Sequence, residues 1–128
     1  MSAIRVLLVE DNDVYRSTLE LLLAGRDGID VVGAVADGHA AVAAATELSP
    51  DVVLMDFRLP GLDGAQATAG VRKARPAAAV ICLTAEASED DRAAVIAAGA
   101  VGLVEKGQPT DELVGAIRSA FRDAEENA

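Results

Sequence analysis

Five short apolar runs recur along the chain, and each is followed by a stretch with helical spacing of its apolar residues. The runs read VLLV, VVGAV, VVLM, AVICL and VGLV. They are mostly β-branched and do not alternate with polar positions, which is typical of parallel strands covered on both faces. The pattern predicts five βα units, and this strict alternation favours an α/β fold with a doubly wound parallel sheet.

Capping residues and apolar stripes indicate where the helices lie. Ser88 followed by Asp91 is typical of a capping box, and Thr110 is expected to cap the last helix. Asn12 and Asp13 are expected to cap the first helix. The last helix has an apolar stripe made of Leu113, Ala116, Ile117, Ala120 and Phe121. The first helix is predicted to have one face made of Val14, Thr18, Leu21, Leu22 and Gly25.

The bulk properties restrict the classes of function. The 128 residues suffice for one domain, predicted over residues 1–128, with 123–128 as a polar tail or the start of a linker to an output domain. The formal net charge of −10 argues against nucleic-acid binding, because phosphate contacts need clustered Lys and Arg. No run resembles a signal peptide or reaches membrane-spanning length. We therefore expect a cytoplasmic chain that does not bind membranes.

Residues whose side chains can bind ligands or react lie at the carboxyl ends of the predicted strands. Glu10 and Asp11 follow the first strand, Asp56 ends the third, and Thr84 and Lys106 follow in the fourth and fifth. In a doubly wound sheet, ligands bind beyond these strand ends, where the strand order reverses. If the first and third strands are neighbours, three carboxylates converge within a few ångströms.

Converging carboxylates require a cation. Two unit charges about 5 Å apart repel by roughly 3 kcal/mol at an effective dielectric constant near 20. A hard divalent ion with oxygen ligands offsets this repulsion, and such a ligand set is usual for Mg²⁺. With an ammonium and a hydroxyl at the same edge, the constellation is suited to receiving a phosphoryl group on a carboxylate.

Four segments in this order resemble the receiver domain of bacterial two-component response regulators. They are VEDN after the first strand, MDFRLPGLDG around the third, LTA after the fourth and VEKG after the fifth. The resemblance covers essentially the whole chain and implies a flavodoxin-like fold with strand order 2-1-3-4-5. The form EKGQPTDEL is similar to the NarL/LuxR-type branch, whose receivers usually precede a helix-turn-helix DNA-binding domain.

The resemblance also implies a role for each site residue. Asp56 would accept a phosphoryl group from a cognate histidine kinase, Lys106 would pair with the phosphoryl oxygens, and Thr84 would hydrogen-bond to them. The expected output is a switched surface for homodimerisation or transcription regulation, without enzyme activity on an external substrate. Mg²⁺ would be held by Glu10, Asp11, Asp56 and the backbone carbonyl of Arg58.

Some positions depart from the family pattern or lie outside it. Leu103 stands where many receivers have an aromatic residue that turns inward on activation, so the signal is expected to pass through aliphatic repacking. Arg58 and Glu86 flank the pocket, and we expect an ion pair across its mouth. Tyr15 is assigned to packing or to the surface.

Two alternative functions stay open. A pseudo-receiver would bind partners without taking phosphate, which the absent aromatic residue leaves possible. A Mg²⁺-dependent phosphohydrolase would use Asp56 as its nucleophile, but such enzymes usually have a second acid where Arg58 stands.

Overall fold

The five predicted βα units are all present in the computed structural model, which describes residues 3–86 and 88–126. The strands are β1 (Ile4–Val9), β2 (Ile29–Val35), β3 (Val52–Asp56), β4 (Ala79–Thr84) and β5 (Gly102–Glu105). The helices are α1 (Asp13–Ala24), α2 (Gly38–Leu48), α3 (Gly64–Ala74), α4 (Glu89–Ala97) and α5 (Thr110–Glu126). All strands pair in parallel in the order β2-β1-β3-β4-β5, which confirms the predicted fold class.

Helices cover both faces of the sheet. Because successive side chains of a strand point to opposite faces, each strand contributes to two hydrophobic cores, one on each face. One core lies against α1 and α5, with Leu23 and Ile117 among its buried side chains. The other lies against α2, α3 and α4, where small residues such as Ala41 and Ala67 face the sheet. Strands β3 and β4 are buried throughout, so a polar residue at their carboxyl ends lies at the rim of the core.

The buried face of α1 differs from the predicted one. Leu19 and Leu23 are buried and Tyr15 packs partly buried one turn before them, whereas Val14 and Leu21 are 76% and 78% exposed. The prediction was wrong because two apolar stripes run along this helix, and the sheet covers the stripe with spacing i, i+4, i+8. The direction in which the chain leaves β1 decides between them, and the pattern of apolar residues does not.

Two of the predicted helix caps, at Asn12 and Ser88, are confirmed, whereas the predicted cap at Thr110 is wrong. The Asn12 side chain accepts the N–H of Tyr15 at 2.8 Å, and the Ser88–Asp91 capping box is formed. Helix α5 begins at Thr110 itself, so this residue is helical rather than the residue before the helix. The same helix continues through Glu126, so residues 123–126 of the expected tail are helical, while 127–128 lie outside the described residues. Within the described part of the chain, no helix has the length and apolar character needed to span a bilayer.

The start of α3 is pressed against the end of β3. The Gly64 N–H donates to the carbonyl of Phe57 at 2.8 Å. A Cβ on Gly64 would lie 2.6 Å from the Phe57 Cα and 2.8 Å from the Asp56 carbonyl oxygen, closer than real Cβ atoms approach. Because these neighbours are backbone atoms, only glycine fits without moving the segment that carries Asp56.

We expect Gly64→Ala to lower the free energy of unfolding by about 2 kcal/mol, because the added methyl group must push the backbone apart. Gly115→Ala is the matched control, since Gly115 lies exposed in α5 and a Cβ there meets nothing within 4 Å. The control should raise the free energy of unfolding by about 0.5–1 kcal/mol. Urea unfolding followed by circular dichroism measures both values, and equal effects would contradict the close approach.

Candidate functional site

The carboxyl edge of the sheet brings together three acids from two strand ends. Strands β1 and β3 are neighbours, with Val9 opposite Met55, so the residues that end them lie side by side. Carboxylate oxygens of Glu10, Asp11 and Asp56 lie within 4.8 Å of one another. The structure therefore places the three predicted carboxylates in one cluster.

Two of these three carboxylates are buried. Glu10 is 1% exposed and Asp56 is 4% exposed, while Asp11 is exposed. They are buried because they directly continue the apolar runs VLLV and VVLM, whose packing carries the next side chain to the rim of the core. A buried carboxylate is unfavourable unless hydrogen bonds and opposite charge replace the lost water.

Lys106 provides the opposite charge. Its Nζ lies 2.6 Å from Glu10 Oε1 and 3.3 Å from Asp56 Oδ2. Its backbone N–H donates to the carbonyl of Thr84 at 2.7 Å, which fixes the loop after β5 on the end of β4. The lysine thus stands opposite the acids, as its position in the sequence predicts.

Backbone N–H groups complete the partners of the two buried acids. The N–H of Asn12 donates to Glu10 Oε2 at 3.0 Å, and the N–H of Arg58 donates to Asp56 Oδ1 at 3.2 Å. Each buried carboxylate therefore has one backbone donor and shares the Lys106 ammonium. These contacts hold both carboxylates in one orientation before any ligand binds.

The pKa values of the two buried acids are shifted in opposite directions, although Lys106 acts to lower both. Burial, the hydrogen bond with Glu10 and the charge of Glu10 raise the pKa of Asp56 to about 7, and Lys106 does not offset them. Burial also acts to raise the pKa of Glu10, but hydrogen bonds from Asp56, Lys106 and the Asn12 N–H outweigh it, so this pKa is lowered. Without a bound cation the two acids titrate as a coupled pair, and the raised pKa of Asp56 indicates that the pair resists carrying two full negative charges.

The ammonium stays charged in this setting. Burial acts to lower the pKa of Lys106, but its hydrogen bond to Glu10 and the charge of Asp56 outweigh that effect, so the pKa is raised. A positive charge is thus permanently present beside Asp56 at neutral pH.

Thr84 lies at the same edge but has a different partner. It is 2% exposed at the end of β4, one residue after Leu83, which pairs with Asp56 across the sheet. Its hydroxyl donates to the carbonyl of Glu86 at 3.0 Å. Among the described residues, no hydrogen bond joins Thr84 to Asp56. The Thr84 hydroxyl is instead hydrogen-bonded to the loop after β4.

The predicted ion pair between Arg58 and Glu86 is not formed. No contact within 4.0 Å joins their charged groups, both of which belong to the described part of the chain. Instead, the Arg58 guanidinium carbon lies 5.9 Å from the centroid of the Phe57 ring. The prediction was wrong because both side chains are exposed, and an exposed pair gains too little to hold two long side chains together.

Two residues of the first turn of α1 reach the site although the sequence analysis gave them no chemistry. The Tyr15 ring centroid lies 4.7 Å from the Lys106 Nζ, and burial raises the pKa of the Tyr15 phenol, which stays neutral. The Arg16 guanidinium donates to the Glu10 carbonyl at 2.7 Å and to Asp13 at 2.6 Å. Side chains in a helix tilt toward its N-terminus, and this tilt is the signal that could have directed both toward the acidic strand end.

The donor set fits a hard divalent cation. Three carboxylates that converge within 4.8 Å are the ligand type that Mg²⁺ takes in proteins. The raised pKa of Asp56 indicates that the site holds more negative charge than its neighbours neutralise, and a bound cation would offset this excess. The residues present therefore fit Mg²⁺.

Known proteins are similar to this chain in sequence and in fold. Residues 6–118 match the response regulator receiver domain family. The chain is 39% identical over 118 residues to the response regulator GacA of Pseudomonas viridiflava. This alignment covers 92% of the chain and 55% of the relative. It is 38% identical over 119 residues to the transcriptional regulatory protein LiaR of Bacillus subtilis, which covers 93% and 56%. The chain thus spans about half the length of the curated relatives it matches.

Solved structures agree with this match. The receiver domain of the response regulator NarL from Mycobacterium tuberculosis superimposes with a TM-score of 0.90 at 30% identity, covering 95% of this chain and 98% of that one. The receiver domain of the sensor histidine kinase PA1611 from Pseudomonas aeruginosa has a magnesium ion coordinated in its active site cleft. It superimposes with a TM-score of 0.82 at 35% identity, covering 94% and 98%. The chain therefore belongs to the response regulator receiver domain family, in its NarL/LuxR-type branch.

Proposed function

We propose that this domain is a phosphorylation-controlled switch, in which Asp56 accepts a phosphoryl group from a phosphohistidine of a partner histidine kinase in a Mg²⁺-dependent reaction. One observation carries the proposal: the buried Asp56 carboxylate lies 3.3 Å from the Lys106 ammonium within a cluster of three acids. Membership of the receiver family supports it, since receiver domains act with histidine kinases. The domain is thus a signalling module rather than an enzyme acting on an external substrate.

Mg²⁺ would be held by the three carboxylates and one carbonyl. When bound, it supplies positive charge that offsets the carboxylates and the incoming phosphoryl oxygens. The magnesium ion of the PA1611 receiver supports this assignment. The proposed ligands are Glu10, Asp11, Asp56 and the backbone carbonyl of Arg58.

Asp56 supplies the nucleophilic oxygen. One Oδ forms a bond to phosphorus while the N–P bond of the phosphohistidine breaks, and the leaving imidazole nitrogen keeps the electron pair. The carboxylate must be ionised to attack, and the positive charges of Lys106 and of bound Mg²⁺ would favour that form. Lys106 already lies beside Asp56 and then pairs with a phosphoryl oxygen, which stabilises the charge that develops there.

The change then spreads through Thr84 and the strands beside it. The hydroxyl turns from the carbonyl of Glu86 to the new phosphoryl group, and the loop after β4 loses that hydrogen bond. Leu103, opposite Cys82 and packed partly buried against the core of α2–α4, replaces the aromatic residue common in the family. The signal therefore reaches the surface through repacking of aliphatic side chains.

The proposed output is transcription regulation by a longer protein, or homodimerisation through the switched surface. Support comes from LiaR, a transcriptional regulatory protein of which this chain covers 56%. The net charge of −10 disfavours direct contact of this domain with nucleic acid.

Incubation with Mg²⁺ and acetyl phosphate should add one phosphoryl group to the wild type and none to Asp56→Asn, because an amide is not a nucleophile here. Intact-protein mass spectrometry measures the adduct. Asp51→Asn is the matched control, since Asp51 precedes the same strand at its opposite end and should leave labelling unchanged. Turnover of the donor without an adduct would indicate a phosphohydrolase, and neither turnover nor adduct would indicate a pseudo-receiver. Either result contradicts the proposal.

Asp56→Asn should also raise the free energy of unfolding of the metal-free protein, by about 4 kcal/mol at about pH 8. Folding raises the pKa of Asp56 from 3.8 to about 7, so the folded wild type binds an extra proton between these values. It therefore loses stability as the pH rises through this window, whereas the asparagine variant does not.

Urea unfolding in the presence of a chelator measures this difference. The gap between variant and wild type should shrink as the pH falls toward about 4, where both states of the wild type bind the proton. Added Mg²⁺ should also narrow it, because the cation offsets the ionised carboxylate. A gap that stays constant across this range would show that Asp56 is not the titrating group.

A further inference from the structure

We propose that Tyr15 is a positioning residue for phosphoryl transfer, because its ring holds the Lys106 ammonium beside the acceptor carboxylate. The inference rests on the phosphoacceptor function proposed above and adds one residue to it. Tyr15 acts through Lys106 and needs no contact with the phosphoryl group.

Among the described residues, three groups lie close to the ammonium of Lys106. They are Glu10 Oε1 at 2.6 Å, Asp56 Oδ2 at 3.3 Å and the Tyr15 ring, whose centroid is 4.7 Å away. The Lys106 side chain is only 23% exposed. An aromatic face at this distance attracts a cation through its quadrupole and accepts no strong hydrogen bond. The ring therefore holds the charge and excludes water without competing for the N–H groups that a phosphoryl oxygen needs.

The ring is also tied to the acids through a single residue. The N–H of Asn12 donates to Glu10 Oε2 at 3.0 Å, and its Oδ1 accepts the N–H of Tyr15 at 2.8 Å. Tyr15 packs against the core under α1 and α5 and borders the same cavity as Gly107, which follows the lysine. The position of the ring relative to the ammonium is thus set by the helix cap and by the core.

This arrangement matters because Lys106 must change partners. Its strongest contact is with Glu10, and it must turn toward the oxygens of the incoming phosphoryl group. The attraction of the ring face involves no particular N–H group, so it is kept while the ammonium exchanges its hydrogen-bond partners. Leucine at position 15 would fill similar space without a quadrupole, whereas phenylalanine would retain the attraction.

The rate of labelling by Mg²⁺ and acetyl phosphate tests the proposal without a kinase, so docking of a partner plays no part. Tyr15→Leu should lower the rate constant at saturating donor about fivefold, with an unchanged half-saturating donor concentration, while Tyr15→Phe stays within about twofold of the wild type. Val14→Ala is the matched control, because Val14 lies next to Tyr15 in α1 and is 76% exposed. A wild-type rate for Tyr15→Leu, or an equal loss for Tyr15→Phe, would overturn the proposal.

A coupling measurement separates positioning from general packing. In a Lys106→Ala background, Tyr15→Leu should cause no further loss of rate, because the ring then has no ammonium to hold. A second fivefold loss in that background would show that Tyr15 acts through the fold and would overturn the inference.

Tyr15 also provides its own spectroscopic signal, because the chain has one tyrosine and no tryptophan. Lys106→Ala should alter the tyrosine emission without any donor, and Mg²⁺ with acetyl phosphate should alter it in the wild type but not in Asp56→Asn. If the wild type takes no phosphate, the proposed function fails, while the effect of Lys106→Ala still supports the contact. If the wild type is phosphorylated with constant emission and Tyr15→Leu reacts at the normal rate, only the positioning role fails.

Discussion

A single ammonium group organises the functional edge of this domain. Lys106 lies 2.6 Å from Glu10 and 3.3 Å from Asp56, and it joins the ends of β1 and β3 to the loop after β5. Two buried carboxylates without this partner would strongly destabilise the edge. The fold and the chemistry therefore depend on the same interaction, and any ligand that changes its charges acts on three segments of the chain at once.

Lys106 and the backbone N–H groups do not fully offset the negative charge of the buried carboxylates, and this leaves the site sensitive to a charged ligand. Burial and the neighbouring Glu10 raise the pKa of Asp56 to about 7 although an ammonium and a backbone N–H are close by. The edge therefore holds more negative charge than its own residues neutralise. A bound cation would relieve this excess and the proposed phosphoryl group would redistribute it, so both would be coupled to the packing of the strand ends.

The proposed chemistry and its readout are carried by different residues. The acids and the lysine carry the proposed phosphoryl transfer, whereas Leu103 on β5 carries the proposed readout and Tyr15 lies beside the lysine. The ring at position 15 contacts the ammonium directly, while Leu103 packs against the core of α2–α4. The two aromatic residues at the site therefore lie in different places: Tyr15 on α1 lies beside the lysine, and Phe57 directly follows Asp56 and packs against the core of α2–α4.

The strands and the polar residues at their ends could be predicted from the sequence pattern, and the convergence of the acids followed once the family resemblance supplied the strand order. A strand that is covered on both faces needs apolar residues along its whole length, so each apolar run marks a strand of the sheet. A charged residue at the end of such a run therefore lies at the edge of the sheet. The buried stripe of α1, the partner of Arg58 and the contact of Tyr15 with Lys106 were decided by tertiary structure. These features depend on how a helix is rotated against the sheet, or on which of several partners of similar energy a long side chain contacts. The local spacing of residues determines neither.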